Sequence, residues 1–324
     1  MAESTNWAFP ENLQPAPEDV SFDLEGAFDA VVSVRAEIPE DAFTAPILGT
    51  ERLGNGVVIR DDGLILTIGY LVTEAQTIWL TTNGGAVLPG YPLAYDQVTG
   101  FGLVQLLGRL KTRVLQRGSI ASTEFGDDVL VIGHGGRAHA LKAKIIGKRE
   151  FAGYWEYVLD EALFTAPAHP QWGGAALVGQ DGRLLGIGSL LVQEMVEGES
   201  VQGNMIVPID LLAPILDEML TMGRPNRPPR PWLGMYTAEV SDHLVVNGLA
   251  KGGPADVAGA RLGDVVVEIG GIRPSGLADF YRKLWRQGGP GTMVPLTLAR
   301  DGAVLRVAIR AANRDDYMKK PQLQ

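Results

Sequence analysis

The chain has 324 residues, 46% apolar and 20% charged, with 41 Gly, 20 Pro and no Cys. That is enough for about two domains with buried cores and many tight turns. It excludes wholesale disorder, coiled coil and collagen, and with them disulfides, thiol nucleophiles and cysteine zinc sites. The net charge of −10 is concentrated at the start, where ten acidic residues stand against Arg35 alone between Met1 and Ala45. The remaining body lacks the excess cation that nucleic acid or an anionic membrane recruits.

Residues 1–25 read as an acidic, Pro-containing arm without a core of its own, carrying isolated Trp7 and Phe9. Met1–Pro10 lacks the basic start and apolar core of a signal peptide, and no run reaches the length of a membrane span. The chain as written therefore reads as cytoplasmic and not membrane-inserted, or as periplasmic if a signal peptide has been removed. From Gly26 onward, short β-branched runs alternate with turn dipeptides: Val57-Val58-Ile59, Asp62-Gly63, Leu64–Thr67, then Asn83-Gly84, and Asp181-Gly182 between Ala176–Val178 and Leu184–Ile187. Hairpins at this spacing predict an all-β barrel or sandwich. At Pro208 the apolar period becomes helical, through Leu211, Leu212, Ile215, Leu216, Met219 and Leu220, and Gly223 ends it. Residues 223–230 form a Pro- and Arg-rich linker. Beyond it a strand is predicted over Asp264–Ile269, a helix over Leu277–Gln287 and a hairpin over Leu296–Ile309 turning at Asp301-Gly302. No repeat of 20 to 50 residues occurs.

Several of these motifs together resemble the HtrA/Deg serine proteases. Pro231-Trp232-Leu233-Gly234-Met235 is similar to a PDZ carboxylate-binding loop. Gly253-Pro254-Ala255 and Gly259–Asp264 are similar to the short helix and the turn into a strand ending at Gly270-Gly271, and Asn204–Ile209 resembles the exit from the protease domain. The resemblance implies a mainly β chain, a chymotrypsin-like double β-barrel over residues 26–222 and a PDZ domain over 231–314 with a tail at 315–324. It also implies trimer-like assembly through the N-terminal arm, in which Trp7 and Phe9 are either a clasp or part of a disordered segment.

The residues at the implied catalytic positions are not those of a protease. Acyl transfer needs a Ser oxygen activated by His, oriented by Asp and faced by backbone N–H groups. Tyr70 stands where the family has its histidine, after Gly54-Asn55-Gly56 and Asp62-Gly63. Gly100, in Thr99–Val104, replaces the aspartate. Aligned without a gap, Thr165–Val178 puts Gly173 at the serine; with one gap, the residue is Trp172. A phenol with an ordinary pKa of about 10 is a poor base at neutral pH. The resemblance thus implies a pseudoprotease, with an active endopeptidase using non-standard residues as the alternative.

Other candidates are weaker. Asp96 reads as a turn residue rather than a substitute acid. Thr165 and His169 are too far apart along an extended chain to bond directly. His134 and His139 sit in a Gly-rich loop without acidic neighbours, and read as ordinary polar loop residues rather than metal or phosphate ligands. His243 reads as a solvated turn residue. Trp172 is either a plug of the old cleft or surface packing. The stronger functional case is the loop at Leu233, Gly234 and Met235, whose N–H groups would meet a terminal carboxylate while the peptide adds a strand beside Tyr236-Thr237, its apolar side chains entering a pocket walled by Phe280 and Leu284. The partners implied are protein C-termini or extended peptides, without cofactor, metal or nucleic acid.

Overall fold

A computed structural model describes residues 7–109, 112–196 and 198–320. It divides into two compact units. The first runs up to Arg149, resumes over Glu161–Pro225 and takes in the tail from Lys319. The second holds Glu150–Asp160 and Asn226–Met318.

The first unit is two closed, antiparallel six-stranded barrels. One contains β1 (Val31–Glu37), β2 (Glu51–Val58), β3 (Leu64–Ile68), β4 (Thr77–Thr81), β5 (Val87–Tyr95) and β6 (Phe101–Leu106), in the order β1-β2-β3-β6-β5-β4. Alternation is clearest in β4, where Ile78 and Leu80 face inward between a half-buried Thr77 and an exposed Trp79. All five residues of β3 are buried, as its run of Leu and Ile requires. The other barrel contains β7 (Asp128–Ile132), β8 (Ala140–Gly153), β9 (Tyr157–Ala166), β10 (Ala176–Val178), β11 (Leu184–Val196) and β12 (Glu199–Pro208), in the order β10-β11-β12-β9-β8-β7. Its core includes Val131, Leu141, Ile145, Leu163, Leu177 and Ile206. Each such side chain contributes roughly 1.5–3 kcal/mol by leaving water.

Two expectations for this unit are corrected. The helical period at Pro208 gives a 3-10 turn at Ile209–Leu211 and a separate helix at Leu216–Met222. Pro214 interrupts it, having no N–H to donate and disfavouring a helical Ala213. Gly223 caps the second segment with φ +71°, as expected. The arm, read as lacking a core, packs on the second barrel. Phe9 and Leu13 lie against its apolar cluster, and the Phe9 N–H donates to the Ala138 carbonyl at 3.0 Å. The arm's first six residues lie outside the described ones.

The second unit is a five-stranded sheet of β13 (Met235–Val240), β14 (His243–Leu249), β15 (Val265–Ile269), β16 (Met293–Arg300) and β17 (Ala303–Arg310), in that order. The helix Leu277–Trp285 buries Leu277, Phe280, Tyr281 and Leu284, an i, i+3, i+4, i+7 face. Asp301-Gly302, both at positive φ, make the expected turn between β16 and β17. The fully buried Asp264 carboxylate is gripped by both arms of the Arg300 guanidinium at 2.6 and 2.7 Å, which hold its pKa below the usual range. No described helix is long and apolar enough to cross a membrane.

Candidate active cleft and peptide groove

In the first unit the three aligned positions come together. Tyr70 lies in the single helical turn Gly69–Val72 that follows β3. The N–H of its neighbour Gly69 donates to the Gly100 carbonyl at 2.6 Å. A Cβ built on Gly173 would stand 2.8 Å from the Tyr70 hydroxyl. Both residues proposed for the serine position, Gly173 and Trp172, therefore border Tyr70. The phenol donates instead to the Ser189 carbonyl at 2.9 Å. Burial pushes its pKa far above the ordinary tyrosine value, and a hydrogen bond from the Trp172 side chain only partly opposes this. Trp172 is half-buried, with its side chain on Tyr70.

His169 is fully buried, with both ring nitrogens committed. Its Nε2 lies 3.0 Å from the His139 carbonyl oxygen and its Nδ1 accepts the Gln171 N–H at 3.1 Å. These partners fix the tautomer: Nε2 carries the proton. Burial, the largest influence, pushes the imidazole down to about 4, so it is neutral at physiological pH. The Thr165 hydroxyl is buried with no hydrogen-bond partner, so His169 does not activate it. Asp96 closes its own turn, accepting from the Thr99 N–H at 3.0 Å and the Thr99 hydroxyl at 2.7 Å.

The Gly-rich loop is not the ordinary polar segment expected. Nε2 of His134 and Nδ1 of His139 are buried without partners, and Trp7 lies over His139 with ring centroids 4.3 Å apart. Phe9 meets the His169 ring edge-on at 5.1 Å. The two arm aromatics are thus engaged within their own chain. Among the described residues no three His, Asp or Glu converge as a metal site requires.

Several organising residues were missed. Asn55, 2% exposed, receives the His134 N–H at 2.8 Å on its side-chain oxygen and donates its amide to the carbonyls of Gln171, at 2.8 Å, and Gly173, at 3.2 Å. Arg52 donates to the Tyr70 and Thr73 carbonyls at 2.6 and 3.0 Å, anchoring the turn that carries Tyr70. Glu74 accepts from the N–H groups of Phe43, Thr44 and Lys319, tying down the tail. Asn55 between two glycines was the only one with a visible signal.

In the second unit the Leu233, Gly234 and Met235 N–H groups do converge. They converge on the side chain of Glu156. Its Oε1 receives them at 3.0, 2.9 and 3.4 Å. Gly234 has φ +67°, and a Cβ there would press on the Trp232 ring at 2.9 Å, so glycine is required. Phe280 and Leu284 are fully interior. His243 is exposed as expected, but it opens β14 rather than standing in the turn.

Residues 54–187 match the family described as trypsin-like peptidase domain, and residues 231–310 match the PDZ domain. The chain carries a trypsin-like peptidase domain followed by a PDZ domain. It is similar to the serine endoprotease DegS of Salmonella typhimurium, 23% identical over 90% of this chain and 85% of that protein. It is also similar to the periplasmic pH-dependent serine endoprotease DegQ of Escherichia coli, 24% identical over 88% of this chain and 68% of that one. A solved serine endoprotease from Yersinia pestis shares the fold, with TM-score 0.51 and 22% identity over 90% of this chain and 98% of that one. The homology is thus to HtrA-type serine endoproteases. Residues 150–160, assigned on sequence to the peptidase domain, pack in the same unit as the PDZ domain.

Proposed function

We propose that this chain is a catalytically inert relative of the HtrA-type endoproteases that binds extended peptides or protein C-termini through its PDZ domain, as a scaffold, adaptor or chaperone-like factor. The observation that carries the inert reading is the pairing of Gly173 with Tyr70: a position without a nucleophile faces a phenol that burial keeps protonated. The oxyanion side supports it. In a trypsin-like site the N–H two residues before the nucleophile faces the oxyanion, and here that group, on Gln171, is turned onto His169. The peptide-binding part rests on the convergence of the Leu233, Gly234 and Met235 amides on a carboxylate.

Incubation of the full chain with a fluorophosphonate probe and with unfolded casein tests the inert reading. The expected result is neither label uptake nor cleavage. Activity abolished by a single substitution at a residue other than Thr165 or His169 supports the second reading, an active endopeptidase with non-standard residues, which the names of the relatives favour. A relative named as periplasmic also favours the exported alternative for localisation. Fractionation of the native host tests that placement.

A further inference from the structure

The PDZ loop amides that a peptide terminus would need already hold a carboxylate from their own unit. Glu156 is only 8% exposed and sits at φ +61°, a conformation that a side-chain-bearing residue rarely adopts. That conformation is held by what the tip does next to it. Two residues upstream, the Tyr154 carbonyl accepts the Thr237 N–H of β13 at 3.1 Å and the Tyr281 hydroxyl at 2.9 Å. The segment therefore makes one backbone hydrogen bond to β13, the edge strand of the sheet, and presents a carboxylate to the loop, the two kinds of contact that a strand-adding peptide makes. Arg282 clamps both sides of the tip, pairing with Glu150 at 2.5 Å and with Asp160. Val158 joins the apolar cluster that contains Phe280 and Leu284.

We propose that Tyr154–Glu156 is a built-in competitor for the PDZ groove, with the Glu156 side chain standing in for a peptide's terminal carboxylate, so that a peptide enters only when the tip leaves. The inference rests on the peptide-binding reading and adds its regulation. It makes resting affinity for free C-termini low, and makes anything that draws the tip out an activator of binding.

The test uses the full-length chain, with Glu156→Gln and Glu156→Gly. The glycine variant accepts the left-handed backbone, so the turn is retained while the carboxylate is lost. Fluorescein-labelled octapeptides ending in free Val, Leu or Phe, with their C-terminal amides as controls, are titrated by fluorescence anisotropy. Amide hydrogen exchange at Leu233 and Gly234 is followed in parallel. Expected are at least tenfold tighter binding of free-acid peptides to Glu156→Gly than to the parent, little gain for Glu156→Gln, whose amide imitates the protonated acid, no such gain for the amides, and faster loop exchange in the glycine variant that slows again on adding peptide. Equal, tight binding by parent and variants overturns the competitor while leaving the peptide reading intact. Exchange unchanged by loss of the carboxylate also overturns it. Absence of free-acid binding in every variant overturns the peptide reading itself, and the competitor with it.

Discussion

Restoring the three catalytic letters by Tyr70→His, Gly100→Asp and Gly173→Ser is expected to leave the chain without efficient proteolysis, and the structure gives reasons of different sizes. The mildest is backbone strain. Gly100 lies at φ +83°, where an aspartate is held at a cost of about 1–3 kcal/mol and is not free to orient a histidine. The second is the oxyanion. The Gln171 N–H is spent on His169 Nδ1 at 3.1 Å, and loss of one oxyanion donor costs about 10²–10³ in kcat. The third is position: Asn55 holds the carbonyls of Gln171 and Gly173, and a misplacement near 1 Å costs about a hundredfold more. Together these leave the triple variant about 10⁴–10⁵ below a working site. Adding His169→Asn, Gln171→Gly and Trp172→Asn removes the ring that takes the N–H of residue 171 and the indole that bonds Tyr70. At least about a hundredfold recovery is expected from that step. The assay is cleavage of fluorescent casein, with fluorophosphonate labelling to count competent serines. Turnover by the triple variant alone at about 1–10³ s⁻¹, the range of ordinary enzymes, would refute the reasoning.

Deleting residues 1–14, which sequence alone suggested would be neutral, is now expected to lower Tm by about 5–10 °C, because Phe9 and Leu13 pack on the second barrel and the loss is about 2–3 kcal/mol; an unchanged Tm in calorimetry contradicts the docking. Gly174→Ala is expected to abolish soluble folding: at φ +77° its Cβ would fall inside the Asn55 carbonyl oxygen, so recovery of a parent-like Tm would be the contrary result. His169 has a folded pKa of about 4 against an ordinary 6.5, so the unfolded chain binds more protons between these values. The stability from keeping it neutral is full above about pH 6.5 and lost as pH falls to about 4, an effect of up to about 3 kcal/mol that an NMR titration with midpoint near 6.5 would exclude. Glu156 behaves oppositely. Burial lifts it to about 7 from 4.5, against the pull of the loop amides and Arg314, with the Tyr236 and Tyr281 phenols also coupled to it. The docked tip holds a proton that the free tip gives up, so docking is strongest below about pH 4.5 and weakens through 7, and free-acid peptides should bind more tightly at pH 8 than at pH 5. Equal affinity at the two values counts against it.

What the sequence displayed well was local chemistry. Asp301-Gly302 announces a hairpin because those residues tolerate positive φ, and the Leu277–Trp285 helix repeats its apolar face every three or four residues. Gly174 lay in a visible glycine pair, and its backbone at φ +77° against the Asn55 carbonyl tolerates nothing else. The missed features share another origin. Whether Gln171 presents its N–H to a substrate depends on His169, whose ring direction is set by the His139 carbonyl thirty residues earlier. Trp7 and Phe9 look like residues of a loose arm until the His139 and His169 rings give them a surface. Glu156 is the clearest case. In Tyr154-Trp155-Glu156-Tyr157 it is one acid at a hairpin tip, and the prior for such a residue is solvent. Only the fold shows that its carboxylate meets the three loop amides. A loop that binds carboxylates does so by where its N–H groups point, and it makes no distinction between a chain terminus and a side chain brought to the same place. The motif at Leu233–Met235 was therefore sufficient to find a carboxylate site, while the identity of its resident was written seventy-seven residues away.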